Sequence, residues 1–335
     1  MIISREFGKT SAGETVWEYT LTNASGNSVS ILNFGCTIRS IKMFGVDVCL
    51  GYDSMAEYER NDGYLGAVAG RCANRIGEGR FCLNNKVYQL DCNDGDNHLH
   101  GGLCGFSHRV WEAEIQADTL SLHRFSPDGE EKYPGGLDVT VTYRLSEGNG
   151  LSIAYHALAH EDTILNLTNH AYFNLNGSGT VLGHLLKINA DEITECDAHC
   201  LTTGRLLAVD DTPFDFRQEK PIGRDIEDTH YQIRNGCGYD HNFVLRPGNT
   251  AAQLTGDVTG ISMTVCTDQP GIQIYSANFL TERPGKNGAR YDRRCALCLE
   301  TQNFPNAIAY PHFPSPILRA GQCFDSVTIY RFYNH

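Results

Sequence analysis

Acidic and imidazole side chains follow apolar segments at two distant points of the chain, a combination that allows acid–base chemistry. Glu300 follows the apolar run 295–299, and His170 follows a segment of alternating apolar and polar residues. An unpaired carboxylate is costly inside a buried strand. A carboxylate and an imidazole exchange protons near neutral pH, and each should favour the charged form of the other. The alternative is a structural ion pair of Glu300 with Arg293 or Arg294.

The segment around His170 carries more polar side chains than a protein core normally accepts. A histidine at the end of a strand is often a hydrogen-bonded core residue. Here the neighbouring polar residues are too numerous for a core. So many polar side chains in one segment are typical of the lining of a polar cleft. These residues are Thr168, Asn169, Tyr172 and Asn174.

Two further segments offer groups that suit the hydroxyl groups of a ligand. Asn74 and Arg75 lie in a glycine-rich stretch, and together they offer a planar fork of donors and an amide. The alternative is an ordinary surface loop. Asp240 follows a glycine-rich turn and is either a turn former or an acceptor for hydroxyl groups. No glycine fingerprint for a dinucleotide opens a helix after a strand.

Histidine and cysteine spacings raise the question of a metal site. His98 and His100 are two residues apart, and the cysteine pairs are Cys196 with Cys200 and Cys295 with Cys298. No pair is followed by a second pair at zinc-site spacing, so we expect no metal. The 13 cysteines are expected to be reduced and mostly buried.

The sequence predicts that β-strands are the main elements that position these groups. Period-two patterns cover 139–145, 151–160, 260–268 and 326–333, and glycine, asparagine and aspartate separate them. Only the segment 53–62 favours a short helix. The expected fold is all-β, one domain over residues 1–335 built as a sandwich of large antiparallel sheets.

Composition narrows the class of ligand and the location. The formal net charge of -13 disfavours binding to nucleic acid, which requires a basic surface. No apolar run approaches the roughly 18 residues of a membrane span, and the first residues do not resemble a signal peptide. We therefore expect a cytoplasmic protein that acts on a small molecule and does not bind membranes.

Seven motifs in order along the chain resemble those of the aldose 1-epimerase, or galactose mutarotase, family. They are AGRCANRI (69–76), NHLHGG (97–102), NLTNHAYFNLNG (166–177), GYDHNF (238–243), PGIQIYSANF (270–279), CLETQNFPNA (298–307) and FPSPILRAG (313–321). The resemblance implies a galactose mutarotase-like β-sandwich with the sugar in a shallow cleft. It also implies that Glu300 is the general base and His170 the general acid.

The same resemblance implies the remaining site residues and the reaction. Residues expected to hold or border the sugar are Asn74, Arg75, His100, Tyr172, Asp240 and Gln273. The implied reaction is interconversion of the α- and β-anomers of hexoses such as D-glucose and D-galactose, within hexose metabolism. It proceeds by proton transfers alone, so no cofactor and no metal is expected.

Three other functions remain open at the level of the sequence. A glycosidase would use two carboxyl groups, and Asp240 offers the second. A sugar-binding module on the same fold would lack turnover. An epimerase of hexose 6-phosphates would need further cations, which the arginine-rich segment 281–296 contains.

Overall fold

Antiparallel strands are the main elements of the computed structural model, which describes residues 1–60, 62–248 and 250–334. The largest sheet has nine strands, and its centre is formed by two long neighbours, Gly150–Ala159 and Cys323–Asn334. In spatial order its strands are Glu112–Gln116, Thr119–Ser126, Leu137–Leu145, Gly150–Ala159, Cys323–Asn334, Ile261–Thr267, Thr250–Thr255, Leu185–Ile188 and Lys220–Pro221.

A six-stranded antiparallel sheet packs against the nine-stranded one. In spatial order its strands are Tyr172–Phe173, Leu297–Gln302, Gly271–Tyr275, Asp240–Leu245, Ala190–Cys196 and Thr202–Ala208. The Tyr330 hydroxyl donates to the Leu299 carbonyl at 2.9 Å, and the hydroxyls of Thr301 and Thr328 lie 2.5 Å apart. These bonds join the facing sheets across a continuous apolar core, so the predicted β-sandwich is confirmed.

The strand Leu297–Gln302 is buried along its whole length, although it contains a carboxylate. Side chains alternate between the faces of a strand. Leu297 and Leu299 belong to the core between the two large sheets. Cys298, Glu300 and Gln302 therefore point to the opposite face, which is covered by loops and by the cleft described below. The strand's rigid core face holds Glu300 in place.

Smaller elements cover the remaining faces and edges. A five-stranded sheet contains Ile2–Lys9, Thr15–Thr22, Ser28–Leu32, Thr37–Met43 and Val46–Asp47. Five strand pairs stand apart: Val68–Ala69 with Thr168–Asn169, Arg75–Ile76 with His98–Leu99, Arg80–Leu83 with Lys86–Gln89, Thr163–Ile164 with Ile317–Leu318, and Arg283–Pro284 with Arg290–Tyr291.

Helix is confined to short pieces. The α-helices are Met55–Glu59 and Tyr231–Gly236. The first lies inside the predicted segment 53–62, of which position 61 is outside the described residues, and a capping box of Ser54 and Glu57 begins it. Within the described ranges, no helix is long and apolar enough to cross a bilayer.

Candidate active site

One open cleft of about 530 Å³ contains every site residue predicted from the sequence. Its floor is the face of the six-stranded sheet that points away from the core, and loops form its walls. The predicted residues that line it are Asn74, Arg75, His100, His170, Tyr172, Asp240, Gln273 and Glu300. Tertiary folding thus collects side chains from six separate segments into a volume suited to a small ligand.

Strand register brings His170 and Glu300 together. The edge strand pairs Tyr172 with Cys298 and Phe173 with Leu297 in antiparallel order. Continued two residues along, the same register places His170 opposite Glu300. His170 Nε2 lies 3.6 Å from Glu300 Oε1, and both side chains are almost completely buried. The other carboxylate oxygen, Oε2, is buried and has no hydrogen-bond partner among the described residues.

The imidazole of His170 is held on several sides. Its backbone N–H donates to the Ala67 carbonyl at 2.8 Å, and its own carbonyl accepts from Gly66 N–H at 2.9 Å. The Tyr172 ring stacks on the imidazole with centroids 5.0 Å apart, and the Tyr172 hydroxyl donates to a backbone carbonyl. The Cys298 sulfur lies 3.5 Å from His170 Nδ1. These contacts direct Nε2 at Glu300.

Burial dominates the electrostatics of this pair. It raises the pKa of Glu300 well above its usual value, with the Asp240 charge adding to the effect and Arg75 opposing it. It lowers the pKa of His170 to about 4. The expectation that each group would hold the other in its charged form is therefore wrong for the pair alone, because desolvation outweighs their attraction. Both groups favour their neutral forms, and the pair holds one proton.

Two further ionisable side chains, Asp240 and Arg75, lie beside this pair. Gln273 Nε2 donates to Asp240 Oδ1 at 2.7 Å, and Arg75 Nε donates to Asp94 Oδ2 at 2.7 Å. Burial raises the pKa of Asp240, while Arg75, Gln273 and the thiol of Cys200 oppose that rise. Burial also disfavours the charged form of Arg75. The attraction of Asp240 and Asp94 is stronger than this effect, so the pKa of Arg75 is raised. The cleft therefore offers an acceptor and a positive donor fork side by side.

The hydrogen bond of His100 determines what its ring can do. The Asn74 backbone N–H donates to His100 Nδ1 at 3.2 Å. A nitrogen that accepts carries no hydrogen, so the neutral ring carries its hydrogen on Nε2. Burial, with the nearby His170 and Arg75, lowers the pKa of His100 well below its usual value. His100 is thus a neutral N–H donor towards the cleft.

This tautomer bears on metal binding. In the described part of the chain one group of side chains is close enough to share a metal ion, with the ligand atoms of His100, His170 and Glu300 within 4.8 Å of one another. Coordination through His100 Nε2 needs a free lone pair there, and the Asn74 hydrogen bond places a proton on that atom. The donor set therefore fits a metal poorly.

The backbone around His100 depends on a glycine. Gly101 has φ +90°, and a Cβ there would lie 1.8 Å from the Gly70 carbonyl oxygen. The tight approach of these two segments sets His100 beside Asn74. Its neighbour His98 is directed elsewhere, since its ring nitrogens contact the Asp91 carbonyl and the Tyr133 hydroxyl, each at 2.7 Å. Only His100 of the two lines the cleft.

Several lining residues were not predicted. An aromatic wall consists of Tyr64, Tyr275 and Phe279, with Phe279 half-exposed and stacked on Tyr275 at 6.3 Å. Cysteine also reaches the cleft, at Cys200 and Cys237. These residues lie in loops or at strand ends, where no periodic pattern reveals which way a side chain points.

A layer of amides continues the cleft floor beneath the loops. Asn242 pairs across the sheet with Gln273, and Gln273 pairs with Glu300, so the three form a row. Gln302 is two residues beyond Glu300 on the same face. Within the described structure the amide atoms of Asn242 and Gln302 and Oε1 of Gln273 are buried without partners. Their position could have been inferred from the alternation of Asp240 with Asn242 and of Glu300 with Gln302.

The alternative partners of Glu300 are engaged elsewhere. Arg294 donates to Ser276 and to the Cys237 carbonyl, and Arg293 donates to the same carbonyl. Neither arginine lines the cleft, and Arg75 is the one lysine or arginine among the described residues that does. The structural ion pair is therefore not formed, and the arginine-rich segment adds no cation to the site.

The cysteines differ from the prediction of mostly buried thiols. All thirteen are unpaired, but six are buried, two are half-buried and five are exposed. The sequence pattern does not reveal this, because short loops carry many of the exposed ones.

Known proteins share both the sequence and the fold of this chain. A sequence profile of the aldose 1-epimerase family matches residues 18–331. The galactose mutarotase of Sus scrofa is 39% identical over 337 residues, which cover 97% of this chain and 97% of that protein. This chain belongs to the aldose 1-epimerase family.

Other members of the family agree in both sequence and structure. The aldose 1-epimerase of Escherichia coli K12 is 34% identical over 328 residues, which cover 93% of this chain and 94% of that protein. The crystal structure of galactose 1-epimerase from Lactobacillus acidophilus superposes with a TM-score of 0.91 at 29% identity, covering 100% of this chain and 99% of that one. The family resemblance read from the seven motifs is confirmed.

Proposed function

We propose that this member of the aldose 1-epimerase family is an isomerase that interconverts the α- and β-anomers of aldohexoses such as D-glucose and D-galactose. The observation that carries the proposal is the buried pair of His170 and Glu300, 3.6 Å apart at the floor of an open polar cleft. Ring opening needs one proton removed and one delivered at neighbouring oxygens. A carboxylate and an imidazole facing the same space supply both transfers.

The single proton of the pair makes the reaction reversible. The reactive form is the carboxylate of Glu300 with the imidazolium of His170. Burial disfavours both charges. The carboxylate form of Glu300 is favoured by the nearby Arg75 and by sugar hydroxyls that donate to it. Glu300 takes the proton of the anomeric hydroxyl, His170 protonates the ring oxygen, and the bond between the anomeric carbon and the ring oxygen breaks.

The open-chain aldehyde then rotates about its bond to the next carbon. Ring closure on the other face of the carbonyl reverses both transfers: the imidazole accepts the proton of the attacking hydroxyl, and Glu300 returns one to the new anomeric oxygen. The pair ends in its starting state and no electrons are exchanged. The chemistry therefore requires no cofactor, in line with the expectation from the sequence.

The remaining side chains hold the rest of the sugar. Arg75 is fixed by Asp94 through Nε, and Asp240 is fixed by Gln273 through Oδ1, so the remaining nitrogens and carboxylate oxygen suit vicinal hydroxyls. His100 contributes its Nε2–H. Holding the distal hydroxyls while leaving the anomeric carbon free permits the rotation that exchanges the anomers.

Asn74 and Tyr172 have a supporting part in this proposal. The Asn74 side chain accepts from the Arg75 backbone N–H at 2.8 Å. The Asn74 backbone N–H donates to His100 Nδ1 and so orients that ring. The Tyr172 ring orients His170, while its hydroxyl is engaged with the Gly63 carbonyl. Both residues border the sugar position and set the geometry of the residues that contact it.

We also propose a cytoplasmic location and a single domain over residues 1–335. Thirteen unpaired cysteines fit a reducing compartment. One continuous core includes residues from Leu21 to Phe332, and the family profile extends over 18–331. The proposed substrate is a free aldohexose in hexose metabolism. Binding to nucleic acid or membranes is not part of the proposal, since the net charge is -13.

The test is the rate of anomer exchange in a freshly dissolved α-anomer, followed by proton NMR with and without the protein. Acceleration well above the spontaneous rate, for glucose or galactose, is the expected result. An aryl glycoside added in parallel distinguishes a glycosidase, which would release the phenol. Sugar binding without exchange would identify a non-catalytic module and would contradict the proposed activity.

A further inference from the structure

Tyr64, a half-buried residue of the cleft wall, contacts both histidines of the site. Its ring is nearly parallel to the imidazole of His170, with an angle of 24° and centroids 6.1 Å apart. The same ring is tilted by 55° against the ring of His100, with centroids 4.7 Å apart. Both histidines act in the proposed function, so the ring that lies against them bears on the reaction.

Backbone contacts fix Tyr64 relative to His170. The Gly66 N–H donates to the His170 carbonyl at 2.9 Å, and the His170 N–H donates to the Ala67 carbonyl at 2.8 Å. The Ala67 N–H in turn donates to the Tyr64 carbonyl at 3.0 Å and closes the turn 64–67. The turn that carries the tyrosine is therefore bound directly to the backbone of the proposed acid.

The Tyr64 hydroxyl is held by a side chain that also holds the loop of His100. Asn93 Nδ2 donates to this hydroxyl at 3.4 Å. The same nitrogen donates to the carbonyls of Leu99 and Gly102 at 3.0 and 3.1 Å, and Asn93 Oδ1 accepts from the Leu99 N–H at 2.7 Å. Burial raises the pKa of Tyr64 to about 12, so the phenol is neutral near pH 7. Its ring is then the part that can act on its neighbours.

The imidazolium of His170 is a costly species in the proposed reaction. Burial lowers the pKa of His170 to about 4, so the charged ring needs stabilisation beyond that from Glu300. The face of an aromatic ring carries partial negative charge and attracts a cation that lies within about 6 Å. Such a face accepts no proton, so it favours the cation without competing with the sugar. Tyr172 lies parallel to the same imidazole at 5.0 Å, and Tyr64 adds a second aromatic face.

We propose that Tyr64 is a positioning residue for the general acid: its ring face stabilises the imidazolium of His170, and its bulk restrains the ring of His100. This inference rests on the proposed function, since the imidazolium forms in that reaction. The electron density of the ring then governs kcat, whereas its size governs KM through His100.

Two natural substitutions separate the ring from its hydroxyl. Tyr64→Phe keeps the face and the bulk, so kcat and KM should stay close to the wild-type values. Tyr64→Leu removes the face, and kcat should fall by about 3- to 30-fold, the factor that corresponds to a desolvated cation on an aromatic face. KM should rise as well, because the His100 ring loses its packing. Polarimetry of fresh α-D-galactose at several concentrations measures both constants.

Fluorinated phenylalanines at position 64 distinguish charge from packing, because fluorine withdraws electron density from the ring face and changes its volume little. From phenylalanine through its mono-, di- and trifluorinated forms, kcat should fall stepwise by about 3- to 30-fold in total, with KM within about twofold throughout. The same series at Tyr88 is the matched control. Tyr88 is a half-buried tyrosine outside the cleft, stacked on Phe81 at 5.3 Å, and kcat should not change there.

The unfolding temperature of each variant shows whether it is folded. A constant kcat across the series at position 64, or an equal loss in the series at Tyr88, would overturn the proposed electrostatic role. If the fluorinated proteins do not fold, the pair Tyr64→Phe and Tyr64→Leu decides, and equal kcat in that pair contradicts the proposal. Absence of anomer exchange in the wild type would overturn the proposed function and this inference together, whereas normal exchange with a constant series would overturn this inference alone.

Discussion

His170 lies opposite Glu300 in the continued register of two antiparallel strands, and His170 Nε2 is 3.6 Å from Glu300 Oε1. Both residues are buried, so each disfavours a charge, yet the two together hold one proton.

Glu300→Gln should reduce turnover by about 10²–10⁴, the usual range for a positioned general base. The amide keeps the volume but accepts no proton. Because burial raises the pKa of Glu300, its unfavourable contribution is absent below the pKa of the unfolded chain and grows as pH rises. The variant should therefore unfold at a higher temperature than wild type near pH 7 and at a similar temperature near pH 4, as measured by calorimetry.

Glu18→Gln provides the matched control for that variant. Glu18 is equally buried but lies outside the cleft, in ion pairs with Arg5 and Arg39. Its substitution should lower the unfolding temperature and leave polarimetric turnover per folded molecule unchanged. If Glu300→Gln behaves like this control, Glu300 is a structural residue and the proposed base is incorrect.

His170→Asn should remove the proton donor to the ring oxygen and lower kcat by about 10²–10⁴. Sugar affinity, measured by calorimetric titration, should persist in part because Arg75 and Asp240 remain. His98→Asn is the control, since His98 is buried against Tyr133 and does not line the cleft. Near-native kcat in a folded His170→Asn protein would point to His100 as the acid.

Arg75→Lys should raise KM by about 10- to 100-fold with a smaller effect on kcat. The guanidinium binds Asp94 through Nε and keeps its terminal nitrogens for the ligand, whereas one ammonium group cannot reach both. Losing charged hydrogen bonds to a ligand costs about this factor in affinity. Steady-state kinetics with both hexoses provide the measurement, and an unchanged KM would remove Arg75 from the sugar clamp.

The pH dependence of kcat/KM should be a broad plateau. Activity requires one proton on the pair of His170 and Glu300, which titrates as a unit. A second proton binds only near the lowered pKa of His170, about 4, and the first is lost near the raised pKa of Glu300. Polarimetric rates, corrected for spontaneous exchange, should therefore hold as pH falls through about 6.5, the value of a free imidazole. An acid limb at that value would contradict this assignment.

Prolonged dialysis against a chelator should leave the anomerisation rate unchanged. The His100 hydrogen bond to Asn74 N–H keeps a proton on Nε2, which opposes coordination by the cluster of His100, His170 and Glu300. Metal analysis of the purified protein and assays with added zinc accompany the measurement. Loss of activity that one metal restores would show that the tautomer assignment is wrong.

Local pattern was sufficient for much of the fold. Alternating residues in 139–145, 151–160, 260–268 and 326–333 correspond to the strands Leu137–Leu145, Gly150–Ala159, Ile261–Thr267 and Cys323–Asn334. A period of two arises because side chains on a strand alternate between the core and the solvent. The pattern can therefore be recognised in the sequence without tertiary information. The sequence likewise indicated acid–base exchange of sugar anomers. It did so through residue types that suit proton transfer and hydroxyl binding, and through the order of the family motifs.

Contacts between distant segments were beyond the sequence alone. His170 and Glu300 meet because Tyr172 pairs with Cys298, a register set by the packing of the whole sandwich rather than by either segment. The pKa directions follow from burial, which depends on every neighbouring loop, and they reversed the expected charges of the pair. The sequence determined which groups are present and how side chains alternate along the strands. The tertiary structure decided which groups touch and how much water surrounds them, because contact and hydration both depend on long-range packing.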